Sequence, residues 1–225
     1  MHEIVVYTAI FGASTFSLCP VKHTDVPHVC YTDTDGEENG WIVRRPSRRY
    51  RDGRLEAKEY KLQAHIYVDS RHSIWVDAST SLLKHPAEFV KCLGEDKSLA
   101  VFRHPGRRCV YDEGAAVISA RKATAESVDI QMEQYRADGY PVNYGLGACG
   151  VVVRRHNKMM RRFNLRWWIE LMSYKNYRDQ LCFNFSAWAE CVPYAVIPGH
   201  LRQNEYVKLG PCRDVAPRQF MGENK

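Results

Sequence analysis

Asp77 closes an apolar run, Ile74-Trp75-Val76, and is followed by three small residues, Ala78, Ser79 and Thr80. A carboxylate at the mouth of a buried strand, with nothing beside it to crowd a ligand, suits a hard-cation or phosphate site at the carboxyl edge of a sheet. It suits equally the N-cap of a following helix. Two further groups stand at comparable places: Asp33 closes the run 28–32, and His200 follows the late apolar run 193–198. The Asp77 carboxylate, the Ser79 hydroxyl and His200 could share one octahedral divalent cation, the rest of its shell coming from diphosphate oxygens and water. Such an ion would neutralise charge on a departing nucleotide diphosphate. For His200 a packing role is the plainer alternative.

These groups need a scaffold, and the periodicity supplies one. "EIVVYTAIF" (3–11) reads as a buried strand ending at Gly12; 28–33, 40–45, 73–77, 98–104, 145–155 and 193–198 read as further strands. Between them, 54–67 places Leu55, Tyr60, Leu62 and Ile66 at helical spacing, 112–139 holds one or two helices that stop at Gly139, and 162–175 and 178–190 read as two more. Strands alternating with helices at these intervals predict one α/β domain over residues 1–225, a mostly parallel mixed sheet with helices on both faces. In such a sheet Phe11-Gly12, Asp33 and Asp77 emerge on one rim.

The motifs that are missing narrow the chemistry. There is no G-x-x-x-x-G-K-S/T and no G-x-S-x-G. "GLGACG" (145–150) runs into "VVVRR", so it reads as close backbone packing in a strand rather than a dinucleotide turn.

Composition is that of an ordinary globular chain, 45% hydrophobic and 26% charged. No apolar run approaches the roughly 18–20 residues that span a membrane. Glu3 stands where a secretory leader would carry basic residues, so a soluble cytoplasmic protein is expected, in the host cytoplasm if it is viral. The cysteines at 19, 30, 92, 109, 149, 182, 191 and 212 form no C-x-x-C pair and read as buried thiols. The net charge of +6 is concentrated in "RRPSRRYRDGR" (44–54), with six arginines, and in "RRHNKMMRR" (154–162), with five cations. These runs read either as solvated surface or as faces for phosphates, nucleic acid or an anionic glycan.

The blocks "VVYTAIFG", "VCYTD", "EAKEYKLQAH", "SIWVDAS", "FRHPGRRCVYDEG", "QMEQY" and "RDQLCF" occur in the order seen in a glycosyltransferase-like family. That family is found in plant mucilage- and pectin-related proteins and in bacterial and viral proteins, and was long described as a domain of unknown function. The resemblance covers roughly residues 4–200. It implies the GT-A fold, a Rossmann-like nucleotide-sugar domain in which an Asp-x-Asp motif at a strand end holds Mn²⁺ or Mg²⁺ and the donor diphosphate. Carried over, Thr8, Ala9 and Phe11 would line the nucleoside pocket and Asp33 would face the base or ribose. Lys58, Lys61 and Arg107 would face phosphates or donor sugar, and Asp77 would be the metal acid. Ser79 stands where the second Asp of the motif would be, which leaves His200 as the candidate for the missing ligand.

Glu170 and Asp179, on neighbouring predicted helices, are the candidates for a general base beside the acceptor hydroxyl. Trp167 and Trp168 offer stacking surfaces or core packing. The expectation is thus a metal-dependent glycosyltransferase moving a sugar from a nucleotide-diphosphate donor, with UDP the first choice, to a hydroxyl acceptor. That acceptor is either a surface glycan or a hydroxymethylated DNA base, the latter reached through the arginine-rich segments 44–54 and 154–162. The rival from another class is a non-catalytic nucleotide- or nucleic-acid-binding module on the same fold, which Ser79 favours.

Overall fold

The structure, a computed structural model, describes residues 2–210. In chain order, β1 (His2–Ile10), β2 (Phe16–Ser17), β3 (His28–Thr32), β4 (Gly36–Glu37) and β5 (Ile42–Arg44) precede α1 (Gly53–Leu62) and α2 (Ala64–Tyr67). Next come β6 (Ser70–Val76), β7 (Thr80–Leu82), α3 (Pro86–Lys91), β8 (Leu99–Arg103), α4 (Val110–Ser119) and α5 (Ala125–Ala137). The last elements are β9 (Gly147–Arg155), α6 (Lys158–Tyr174), α7 (Asp179–Ala189), β10 (Tyr194–His200) and β11 (Val207–Leu209).

Seven strands form the main sheet in the order β10-β8-β9-β6-β1-β3-β5. Six run parallel, and β9 alone is antiparallel to its neighbours β6 and β8. The apolar run of β1 fits its central place, because a strand covered on both faces has no side to leave polar. Strand alternation divides it: Val5, Tyr7, Ala9 and Phe11 pack with Leu55, Tyr60, Phe163, Trp167 and Phe183 of α1, α6 and α7. Val6 and Ile10 pack on the other face with Ile74, Phe89 and Leu93 beside α3. This is the GT-A-like mixed sheet, covered on both faces, that the sequence predicts.

The six parallel strands deliver Phe11, Asp33, Asp77, His104 and His200 to one rim, and β9 starts there, where the His104 N–H donates to the Leu146 carbonyl at 2.9 Å. At that rim α1 is capped by Asp52, whose Oδ1 accepts from the Arg54 N–H at 2.8 Å. Its first residue, Gly53, is pressed against the end of β1, and a Cβ there would lie 2.2 Å from the Phe11 carbonyl oxygen. Gly53→Ala is therefore expected to push α1 off the rim and to cost about 1–3 kcal/mol in urea denaturation, the usual cost of overpacking.

Two local readings are settled by the fold. No helix follows Asp77; the chain makes a turn, Thr80 N–H to Asp77 carbonyl at 2.9 Å, and enters β7, so helix capping is not why the acid is there. "GLGACG" opens β9, and a Cβ on Gly147 would meet Phe183 at 2.8 Å and Val101 at 2.9 Å, the close packing expected. The predicted helix 54–67 breaks at Gln63 into α1 and α2. Among the cysteines, Cys30, Cys109, Cys149 and Cys182 are buried thiols, Cys191 is exposed, and Cys212 lies outside the described residues. No helix among the described residues is long and apolar enough to cross a membrane.

Candidate active site

The end of β6 is held by β9: the Asp77 N–H donates to the Gly150 carbonyl at 2.8 Å. Asp77 Oδ1 accepts from the indole Nε1 of Trp75 at 2.8 Å and from Lys61 Nζ at 3.3 Å, while the side chain stays 49% exposed. A Cβ on Gly150 would stand 3.3 Å from Asp77 Oδ2 and 2.8 Å from Leu201 Cδ2. The missing side chain thus keeps that oxygen clear and lets the turn after β10 close over the rim.

Lys58 and Lys61, three apart on α1, project together as their spacing predicts. In this structure both reach Asp179, the first residue of α7: Lys58 Nζ to Oδ1 at 2.5 Å and Lys61 Nζ to Oδ2 at 2.6 Å. Burial works to raise the Asp179 pKa, but the two ammonium charges outweigh it and hold the carboxyl well below the usual range. For Lys61, only 6% exposed, burial works downward, and Asp179 followed by Asp77 overrides it, so its pKa is raised. The result is one buried ammonium bridging two carboxylates, with a second ammonium beside it. Both Asp179 oxygens are thus taken by lysine ammonium groups, so in this structure the carboxylate expected as a general base holds Lys58 and Lys61 instead.

Glu170 does not join this group. It is buried between α5, α6 and α7, paired with Arg166 at 2.8 Å and accepting from the Tyr135 hydroxyl at 3.3 Å, and burial is the main cause that raises its pKa. Nothing among those partners belongs to the rim, so it is withdrawn as the acceptor's base.

At the other end of the rim Asp33 accepts from the Gly12 N–H at 3.0 Å and pairs with Arg48 Nε at 2.8 Å. Phe11 stacks on Tyr60 with centroids 5.3 Å apart. Thr8 is buried with its Oγ1 unpartnered and, by strand alternation, faces away from Ala9 and Phe11. The three cannot line one pocket with their side chains. Arg107 pairs through Nε with Glu113, and its N–H donates to His104 Nδ1 at 2.9 Å. The second Glu113 oxygen accepts from Gln180 Nε2 at 2.8 Å, which ties this cluster to the residue after Asp179. Burial, partly opposed by Glu113, lowers the His104 pKa.

Of the remaining metal candidates, Ser79 is exposed on the turn after Asp77, and His200 ends β10 with its Nδ1 buried and without a hydrogen-bond partner. No group of three or more His, Cys, Asp or Glu among the described residues is arranged around a common point. Asp77 and Ser79 offer oxygen donors of the kind a hard cation takes, open to solvent, whereas the His200 Nδ1 is buried.

About half of the cations in the two basic runs are tied up within the chain. Arg45 pairs with Asp35 at 2.9 Å, Arg48 with Asp33, and Arg49 with Glu59 at 2.8 Å. In the second run Arg154 is fully buried, Arg155 donates to the carbonyls of Gly94 and Glu95, and Arg162 pairs with Glu190 at 2.8 Å. Trp167 is core, and Trp168 is half-buried beside Tyr50. Sequence reasoning missed Trp75 and Gln180 as partners of the site; a side chain's hydrogen-bond partner across 2 or 67 residues leaves no periodic signal.

A family model described as the TOD1/MUCI70 glycosyltransferase-like domain matches residues 33–190. A protein of Arabidopsis thaliana described as a probable hexosyltransferase, MUCI70, is 27% identical over 146 residues, or 60% of this chain. The match spans a quarter of that relative's length. Similar solved structures include the bifunctional glycosyltransferase WbbM (TM-score 0.49, 8% identity, 88% of this chain and 38% of that one). Mouse xyloside xylosyltransferase 1 gives a TM-score of 0.45 at 7% identity over 87% of this chain and 84% of that one. The galactosyltransferase LgtC, solved with donor and acceptor sugar analogues, gives 0.44 at 12% over 86% and 73%.

Proposed function

The chain belongs to the TOD1/MUCI70 glycosyltransferase-like domain family, and on that premise we propose that it transfers a sugar from a nucleotide-diphosphate donor, a UDP-sugar first, to a hydroxyl of a glycan acceptor. The observation that carries this reading is the buried Lys61 ammonium set between Asp77 and Asp179 where β6 opens onto the rim. A diphosphate arriving there meets two lysines already desolvated and oriented, so little reorganisation is needed to receive its charge. Asp77, with Ser79 and His200, would hold Mn²⁺ or Mg²⁺. When bound, that ion supplies Lewis-acid stabilisation of the leaving diphosphate. Asp179 keeps Lys58 and Lys61 aimed, Arg107 stands ready for donor oxygens, and Phe11, Ala9 and Asp33 form the nucleoside end. A glycan hydroxyl is preferred to a hydroxymethylated DNA base because Arg45, Arg48, Arg49 and Arg162 are ion-paired within the chain and Arg154 is buried.

The test is release of nucleotide diphosphate from a panel of UDP-, GDP- and dTDP-sugars, with water or simple glycosides as acceptor. Release from one donor class, supported by Mn²⁺ or Mg²⁺ and stopped by EDTA, is the expected result. Release that EDTA leaves unchanged would remove the cation from the account. Binding of nucleotides without release from any donor would favour the non-catalytic module, the reading that Ser79 in place of a second Asp supports.

A further inference from the structure

Arg154 lies on β9 in the layer between the sheet and α6, with no exposed surface. Its Nη1 donates to the Tyr7 hydroxyl at 2.9 Å, its Nε to Asn164 Oδ1 at 3.0 Å and its Nη2 to the Lys61 carbonyl at 2.8 Å. The guanidinium also lies over the Trp167 ring, 5.6 Å from its centroid. All four partners are neutral. A buried cation without a counter-charge is costly, and a well-packed apolar replacement is often neutral or stabilising, so packing gives no reason for an arginine here.

Two of the four partners, Lys61 and Trp167, connect to the rim. The Lys61 carbonyl accepts from both Arg154 and the Tyr7 hydroxyl (3.3 Å), which pins the end of α1 that carries the bridging ammonium. Trp167, under the guanidinium, donates from Nε1 to the Asp179 carbonyl at 2.8 Å. One side chain thus backs both halves of the Lys61–Asp179 pair.

We infer that Arg154 is a positioning residue of the nucleotide site: it fixes Lys61 against Asp179 from behind, through the Lys61 carbonyl and through Trp167. This rests on the reading above for the ligand and on the structure alone for the positioning. The test uses Arg154→Met, Arg154→Lys and Tyr7→Phe, with two readouts. The first is the NMR signal of the Lys61 ammonium, visible in the wild type because a buried, paired ammonium exchanges its protons slowly. The second is calorimetric titration of UDP with Mn²⁺.

Arg154→Met is expected to broaden or shift the Lys61 signal and to weaken UDP at least about tenfold, as removal of an outer-shell partner does in metal sites. Arg154→Lys should recover part of the affinity, since it keeps the charge and loses the forked geometry. If Arg154→Met does not fold, Tyr7→Phe decides, because it removes one bond from the Lys61 carbonyl and one from Arg154 while keeping the ring. An unchanged Lys61 signal in whichever of the two variants folds overturns the positioning role. Wild-type UDP affinity in that variant overturns its part in the nucleotide site. Failure of the wild type to bind any nucleotide overturns the proposed function instead, and the Lys61 signal still decides the positioning.

Discussion

Asp77→Asn is expected to abolish sugar transfer while leaving the fold in place. The side chain is half exposed, its main-chain bonds to Gly150 and Thr80 survive the change, and an asparagine oxygen can still accept from the Trp75 indole. What is lost is the negative charge that would hold a divalent cation beside Lys61. Loss of one preorganised electrostatic group at a reacting centre costs on the order of 10²–10³ in turnover, and loss of the charge that holds a catalytic cation should cost at least that. The measurement is kcat/KM for donor cleavage, with thermal denaturation alongside to confirm an unchanged fold. A folded Asp77→Asn protein that keeps wild-type cleavage would remove Asp77 from the mechanism.

The second large effect is on stability. Asp179→Asn leaves two ammonium groups facing each other, one of them, Lys61, almost wholly out of water. Removing one partner from a buried ion pair costs about 3–5 kcal/mol; here Lys61 keeps only the half-exposed Asp77, at 3.3 Å, to repay its desolvation. The pH dependence follows from the direction of each shift. The Asp179 pKa is depressed by Lys58 and Lys61 against the effect of burial, so its contribution is full above the ordinary aspartate value of about 3.9 and disappears as pH falls through the lower folded value. The Lys61 pKa is raised, so its contribution is full below the ordinary lysine value of about 10.4 and disappears as pH rises through the higher folded value. Urea denaturation of wild type and Asp179→Asn should therefore differ by a constant amount from about pH 5 to pH 9, and the difference should shrink in stronger acid. A difference under about 1 kcal/mol at pH 7 would mean the pair is solvated and not the buried bridge described here.

Much of this rim was legible in the residues themselves. Apolar runs and helical spacing locate the main strands and helices, and the rule that parallel strands open on one edge puts Gly12, Asp33 and Asp77 on one rim; the Gly12–Asp33 hydrogen bond joins the first two. Lys58 and Lys61 were legible as a pair from their spacing. Their partner was not, because Asp179 is 121 residues from Lys58 and pairing at that range leaves no local pattern. Arg154 misled for a related reason: a run of cations reads as surface, and only the burial of β9 between β6 and β8 turns one of them into core. Thr8 shows the limit of carrying a family role along a strand, since neighbours in sequence face opposite layers. The short strands β7 and β11 were missed because three-residue elements have no periodicity to read.

Calorimetric titration of UDP into the wild type, with Mn²⁺ and then with EDTA, is the most direct test of the central claim that Asp77 and the Lys58–Lys61–Asp179 cluster form a diphosphate site. Saturable binding that Mn²⁺ strengthens, EDTA weakens and Asp77→Asn removes is the expected result. Absence of binding for UDP and for the other nucleoside diphosphates, in the presence of Mn²⁺ and with the protein folded, would contradict it.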